Sequence, residues 1–545
     1  MNRRQALRLT AAGAASALAF PRVLRSASAA APKTYPHGAV IGGFRAEEVG
    51  AEVLASGGNA VDAAVAGALV SGIAGPQMTG PGGYAASILI ATADGKKVTA
   101  IDANSTAPAA ARADMFPLDE KGRVKGRIDE HGWLAAGVPG VLAGLQLALD
   151  RHGTRSFADC VQPAIQLARE GFPLPANIAG GIRNLAAALG SSPGGRRLFF
   201  KHGAPIAAGE TFRNPELAEM LATLARRGSV DTFYRGDIAA RIAEEFAKHG
   251  GLVTAADLAA YRAREVAPLR LAWDDAEIFT APLTAGGLTI LQTLGALRAL
   301  GFAQQPAGLT RTHAFAEALR LAWADRLALL GDPEHARVPQ ARLLSNDYAR
   351  ESVDRIRAAV RGGKILAHRA ETRAQPGTVH LSAVDRNGLM AAITLTHGGS
   401  FGSCVTVEGL GLTLGHGMSR FDPQPGHPNC PGPGKRPLHN MCPAIVTRGG
   451  RPVFAVGGRG GRRIPNAVLT ALVEHTVLRR PLAAAIAAPR LHTEGTPELS
   501  PEPKWPADEL KALPALGYKV KTAASATLSA VAFDPATGEC SAAMR

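Results

Sequence analysis

Absences narrow the chemistry of this 545-residue chain before any motif is considered. It has only five cysteines, Cys160, Cys404, Cys430, Cys442 and Cys540, an odd number and too few for a disulfide scaffold. None forms a C-x-x-C, and a single bridge between two of them stays open. No H-E-x-x-H occurs, so neither a catalytic metal nor another cofactor is expected. Beyond the first thirty or so residues no run of about 20 apolar residues exists, so stable membrane insertion is not expected. The charge is +15, yet no basic run carries interleaved aromatics, which argues against a nucleic-acid partner. A diffuse positive field of this kind favours anionic substrates or an anionic envelope surface. Internal repeats are absent as well.

What is present begins with an export pattern. Asn2-Arg3-Arg4-Gln5-Ala6-Leu7-Arg8 is followed by a mild apolar stretch, Leu9 to Phe20, and then by Ala27-Ser28-Ala29. A charged start, a short apolar centre and a small-residue cleavage site make a signal peptide, and the arginine pair makes it a twin-arginine one. Residues 1–31 are therefore expected to be removed, leaving a bacterial protein in the periplasm or outside the cell. An uncleaved anchor is the alternative. Five of the positive charges, Arg3, Arg4, Arg8, Arg22 and Arg25, go with that segment. The remainder is ordinary in composition, 46% hydrophobic and 19% charged over the whole chain. Its length suits several domains or one large layered one.

Local patterns place the elements. Ala46 to Ala55 reads as a helix stopped by Gly57-Gly58, and Asn59 caps a second helix running to about Ser71. Gly80-Pro81-Gly82-Gly83 leads into an apolar run, Tyr84 to Ala91, that reads as a buried strand. His313 to Leu330 is an amphipathic helix ended by Gly331-Asp332-Pro333, and Glu371 to Gly377 an exposed linker. Thr378 to Val384 and Met390 to Thr396 read as strands joined at Asp385-Arg386-Asn387-Gly388. Asp first and Gly fourth favour a three-residue hairpin loop that pairs Asp385 with Leu389 and so sets Thr378 opposite Thr396. A two-residue loop would instead set His397 opposite Thr378. Phe421 to Pro437 holds six prolines and no regular structure. It is either a wall of a site or a plain surface loop.

Several of these segments, in order, resemble the gamma-glutamyltransferase family of N-terminal nucleophile hydrolases. Gly57-Gly58-Asn59-Ala60-Val61-Asp62-Ala63-Ala64 and Gly80-Pro81-Gly82-Gly83 are similar to its early signatures. Phe233-Tyr234-Arg235-Gly236, Gly251-Leu252-Val253-Thr254, Ala324-Asp325-Arg326 and Gly331-Asp332-Pro333 follow. Gly377-Thr378-Val379-His380-Leu381-Ser382 resembles the processing site. Met441-Cys442-Pro443, Gly460-Gly461 and Pro489-Arg490-Leu491-His492 complete the series. The resemblance implies a four-layer αββα sandwich. It also implies self-cleavage at Gly377–Thr378 into a large subunit, 32–377, and a small one, 378–545, which stay together as a heterodimer.

The chemistry suits the residues. A threonine hydroxyl needs a nearby base. Cleavage before Thr378 frees an α-amine with pKa of about 7.7–8, near the working pH. Thr396 can then hold the Thr378 hydroxyl in one rotamer. Val456-Gly457-Gly458-Arg459-Gly460-Gly461 offers unblocked backbone N–H groups for an oxyanion, and the family's oxyanion pair matches Gly460 and Gly461. The run lacks the third glycine and the Lys-Ser or Lys-Thr of nucleotide loops. A simple glycine turn and two ordinary strand threonines are the plainer alternatives.

The substrate side departs from the family. Asn104 stands where an arginine holds the substrate carboxylate. Gly417 and Arg420 stand at positions of acidic residues that hold the α-amine. His439-Asn440 replaces a serine pair, and His397-Gly398 replaces an asparagine after the second threonine. A pocket with Arg420 repels an ammonium and favours a carboxylate or carbonyl. A solvent-facing salt bridge is the other place for Arg420. Three readings result: an amidohydrolase or acyltransferase for a small acylamide of that kind, a true gamma-glutamyltransferase, and a non-catalytic exported binding protein of the same fold.

Overall fold

The computed structural model describes residues 35–367 and 377–545. The export segment 1–31 and all but Gly377 of the linker expected from Glu371 lie outside the described residues. No helix among the described residues is long and apolar enough to cross a membrane.

Twelve strands matter for the site: β1 (Gly38–Ile41), β2 (Ala85–Ala91), β3 (Val98–Ala103), β4 (Arg264–Val266), β5 (Leu269–Trp273), β6 (Ala276–Thr280), β7 (Val379–Asp385), β8 (Met390–Thr396), β9 (Ala444–Arg448), β10 (Arg451–Arg459), β11 (Thr527–Phe533) and β12 (Cys540–Met544). They form two six-stranded antiparallel sheets, ordered β1-β7-β8-β2-β3-β4 and β12-β11-β10-β9-β6-β5. In β7 the two faces have separate duties, as a strand's period of two requires. Val379, Leu381 and Ala383 point to the helices, while Val384 joins Leu89, Ala392, Ile445 and Val531 in a core between the sheets.

Helices α1 (Ala46–Ala55), α2 (Ala60–Ala74) and α3 (Val141–His152) cover the outer face of the first sheet. On the second sheet lie α4 (Gly287–Ala299), α6 (Arg463–Leu472) and α7 (Leu482–Ala487), and α5 (Leu309–Leu329) packs on α4. Helix, sheet, sheet, helix is the four-layer sandwich expected from the resemblance.

Every residue of α2 is buried, so it needs its polar groups matched internally. Asn59 and Asp62 form a reciprocal capping box, and Asp62 also accepts from Thr154. Losing such a cap costs about 1 kcal/mol. The helix runs on past Ser71 because its apolar sequence continues to Ala74.

Helix α5 starts earlier than His313, at Leu309, because Gly308 gives no side-chain cap to mark the start. It is also more deeply buried than its apolar spacing suggests. Glu317 and Arg320 are fully buried and paired at 2.7 and 3.0 Å. Glu317 further accepts from the Tyr518 hydroxyl at 2.6 Å and from Leu366 N at 2.9 Å. Arg320 donates to the carbonyls of Thr496 and Leu366. Each charge is thus matched, which is what lets a polar helix face turn inward.

All five cysteines are free thiols, so the bridge left open by the sequence is not formed.

Candidate active site

The β7–β8 hairpin sets the first part of the site. Asp385 Oδ1 accepts from Asn387 N and Leu389 N, and Asp385 N pairs with Leu389 O. Gly388 N closes the loop onto Asp385 O. The ladder therefore runs Val384↔Met390 to Val379↔Leu395, the register of the three-residue loop, and its next step sets Thr378 against Thr396. The two hydroxyl oxygens lie 3.3 Å apart and both residues are buried.

Around them the uncut backbone is tightly held. The Thr378 hydroxyl donates to the Gly377 carbonyl at 2.7 Å. Gly398 N donates to Thr396 Oγ1 at 2.7 Å, and the Thr396 hydroxyl donates onward to the same Gly377 carbonyl. Two hydroxyls thus converge on the carbonyl that precedes Thr378. Gly377 has φ 140°, and a Cβ there would stand 2.6 Å from the Gly399 carbonyl carbon. Only glycine fits both constraints.

Two residues into β7, His380 faces the second sheet. It is bonded to Thr394 at 2.8 Å and to Ser382 at 2.9 Å, and Ser382 donates to Ser529 O on β11. Burial pushes its pKa down to about 3, so the ring is neutral. Gly457 of β10 packs against this ring, and Gly460-Gly461 follow where β10 ends, ahead of α6.

A pocket open at its mouth lies next to these glycines, since Arg462 lines it. Its other charged lining groups are Arg326 of α5, Arg420 and Asp422. Asn440, Ser419, Trp323 and Leu438 contribute as well. The proline-rich loop supplies Phe421, Asp422, Pro423, His427 and Asn429, so it is a wall of the pocket. Asn429 Nδ2 donates to Arg420 O, and His427 bonds Leu327 O, which ties that wall to its neighbours.

Arg420 does not reach out to a surface carboxylate. Its guanidinium donates to Ser419 Oγ at 3.1 Å and to His416 Nε2 at 3.1 Å. His416 Nδ1 lies 3.1 Å from Glu130 O, which can only accept, so the proton sits on Nδ1 and Nε2 is free to accept. Burial, and then the Arg420 charge, keep His416 neutral, far below its ordinary pKa. The His416 ring abuts Gly398 and Gly399, and Gly399 abuts Gly377. One imidazole and one glycine thus separate the Arg420 guanidinium from the Gly377–Thr378 bond.

Arg326 is buried. Its Nη2 donates to His439 O at 2.8 Å and approaches Asn440 Oδ1 at 3.4 Å, while Nη1 has no partner. Burial first, then the Arg462 charge, lower its pKa to about 10. Arg462 itself is paired with Glu494 at 2.8 Å. Tyr84 is close enough to Arg326 and Arg420 to feel both charges. Burial outweighs them and raises its phenol to about 12, so it stays protonated.

Other sequence candidates stand apart. Asn104 is sealed, donating to Thr284 Oγ1 at 2.6 Å and Pro437 O at 2.7 Å, and it does not line the pocket. His397 lines a separate small cavity with Thr79 and Gly80. His439 reaches the pocket only through its carbonyl, the acceptor for Arg326. Sequence reasoning missed Arg326, His416 and Arg462 as site residues. Each stood in or beside a segment already singled out, but neither spacing along an irregular segment nor the periodicity of α5 tells which charged side chain faces a site.

With this geometry, comparison with known proteins is informative. A family model described as gamma-glutamyltranspeptidase matches residues 46–544. The glutathione hydrolase proenzyme of Escherichia coli (strain K12) is 36% identical over 500 residues, covering 87% of this chain and 84% of that protein. The acylase ACY 1 proenzyme of Pseudomonas sp. (strain V22) is 35% identical over 529 residues, covering 94% and 93%. Among solved structures, a cephalosporin acylase from Bacillus halodurans superposes with a TM-score of 0.84 at 25% identity, covering 96% of this chain and 97% of that one.

Proposed function

This chain belongs to the gamma-glutamyltranspeptidase family, and we propose that it cuts itself before Thr378 and then cleaves amide bonds through an acyl-Thr378 intermediate. The observation that carries this reading is the convergence of the Thr378 and Thr396 hydroxyls on the Gly377 carbonyl. In the precursor, Thr378 Oγ1 attacks that carbonyl carbon. Thr396 donates to the oxygen as it becomes an oxyanion. The C–N bond breaks, the α-nitrogen takes the proton, and water hydrolyses the resulting ester to free Gly377 as a carboxylate. Thr378 then carries its own base.

In turnover the free α-amine takes the Thr378 hydroxyl proton as Oγ1 attacks the substrate carbonyl. Thr396 keeps the rotamer, and the N–H groups of Gly460 and Gly461 receive the oxyanion. The proton passes to the departing amine, and water or a second amine resolves the acyl ester. The acyl chain enters the pocket next to Arg462, where Arg420 meets a carboxylate or carbonyl. Asp422 is the one carboxylate among the described lining residues, against three arginines. That charge balance favours an acylamide without an ammonium over a γ-glutamyl amide, although glutathione hydrolases are among the relatives.

Residues 1–31 act as the twin-arginine export signal, and 32–377 and 378–545 remain together as a heterodimer in the periplasm or outside the cell. Small amides are the partners. A denaturing gel with N-terminal sequencing tests the core of this reading. Two fragments are expected, the large one starting near residue 32 and the small one at Thr378. Thr378→Ala should leave one chain and lower turnover by at least roughly 10³-fold. An uncut active wild type would refute the scheme. Comparing a γ-glutamyl anilide with the corresponding glutaryl anilide separates the substrates: faster release from the former would favour true gamma-glutamyltransferase activity.

A further inference from the structure

Most buried or half-buried arginines among the described residues have an anion. Arg320 has Glu317, Arg462 has Glu494, and Arg264 and Arg436 share Asp102. Arg490 is fully buried and donates to the carbonyls of Ala526 and Ile486, but Glu502 is close enough for its charge to be felt. Arg326 is different. Its hydrogen bonds go to the neutral His439 carbonyl and Asn440 amide. The groups whose charges reach it are Arg462, Cys442 and Tyr84, and none is a carboxylate. Cys442 is itself protonated, its thiol pushed far up by burial. A guanidinium left like this has an unmet demand for an anion. The residue lines the pocket, its guanidinium carbon is 5.8 Å from the Trp323 ring centroid, and its Nη1 is buried without a partner.

We propose that Arg326, with Asn440, forms a second anion subsite beside Arg420, so that the acyl group carries two acidic ends and no ammonium. This deepens the substrate reading above and rests on it. Arg420 with Ser419 takes one carboxylate. Arg326 takes the other, with the Asn440 amide as a further donor. The scissile carbonyl remains at Thr378. The substrate class is the amides of tricarboxylic acids in which one carboxyl is the amide.

Calorimetric binding of product-like acids to the purified protein tests this without needing turnover, so its failure is distinguishable from failure of self-cleavage. The probes are propane-1,2,3-tricarboxylate, glutarate and L-glutamate at matched ionic strength. The tricarboxylate should bind at least tenfold tighter than glutarate, and glutamate weaker than both. Arg326→Gln should erase the tricarboxylate advantage, lowering tricarboxylate affinity at least tenfold more than glutarate affinity, and an unchanged urea midpoint reports an intact fold. If Arg326→Gln does not fold, Asn440→Ala keeps the arginine and should reduce the advantage several-fold. Equal affinity for tricarboxylate and glutarate, or an advantage that survives both substitutions, would overturn the subsite.

Discussion

Helix α5 carries two buried arginines six residues apart, and they are treated in opposite ways. Arg320 is held by a carboxylate and two carbonyls, with a tyrosine and a backbone amide completing the carboxylate's shell. Arg326 has a carbonyl, a distant amide oxygen and one nitrogen left without a partner. Both sit on one scaffold and are buried, so the difference lies in neutralisation. A structural cation is matched within the fold. A cation at a site is left for something that arrives later.

The largest expected effect breaks the matched site. Glu317→Gln strands the Arg320 charge and should cost about 3–5 kcal/mol, seen as a lower urea midpoint. Replacing both partners, Glu317→Leu with Arg320→Met, should recover most of that loss. Arg326→Met makes the opposite comparison. It removes a hydrogen bond to a carbonyl but relieves an uncompensated charge, so stability should change by less than about 1.5 kcal/mol while tricarboxylate binding falls. A loss as large as that of Glu317→Gln would place Arg326 among the structural cations and dissolve the distinction.

The same contrast runs through three buried histidines at smaller scale. His380 has both nitrogens bonded, whereas His397 and His439 each have an unpartnered Nδ1. Burial lowers all three to about 3. Their unfolded forms take up a proton below about 6.5, so the stability that comes from keeping them neutral is lost as pH falls below that value. Each contributes a slope of about 1.4 kcal/mol per pH unit between roughly 6 and 4. Urea midpoints across that window should fall less steeply for His380→Gln, by one such slope. An unchanged slope would mean that the ring is charged in the fold.

Much of this was legible in the sequence where local rules act. Asp385 and Gly388 announced the hairpin register, and with it the meeting of Thr378 and Thr396. Asn59 announced its cap. The motif series around Thr378 carried the family and the four layers. The pocket was legible only in part. Arg420 and Asn440 were recognised as lining it, but Asn104 turned into a sealed contact with Thr284, set by chain segments 180 residues apart. Arg326 sat in a helix whose periodicity reads the same whether a charge is paired or not. Tertiary neutralisation is a property of distant partners, and no window of sequence contains it.

The strand order has one more consequence. Three seams, β1 with β7, β2 with β8 and β6 with β9, stitch chain ahead of Gly377 to chain behind it. While the backbone is whole, a denatured molecule finds its own partner strands at the modest cost of closing a long loop. Once it is cut, the same seams must form between two independent polymers, and dilution works against them. Maturation is thus a ratchet. With the cut proposed above, refolding of the mature form depends on protein concentration, whereas the uncut form refolds within one chain.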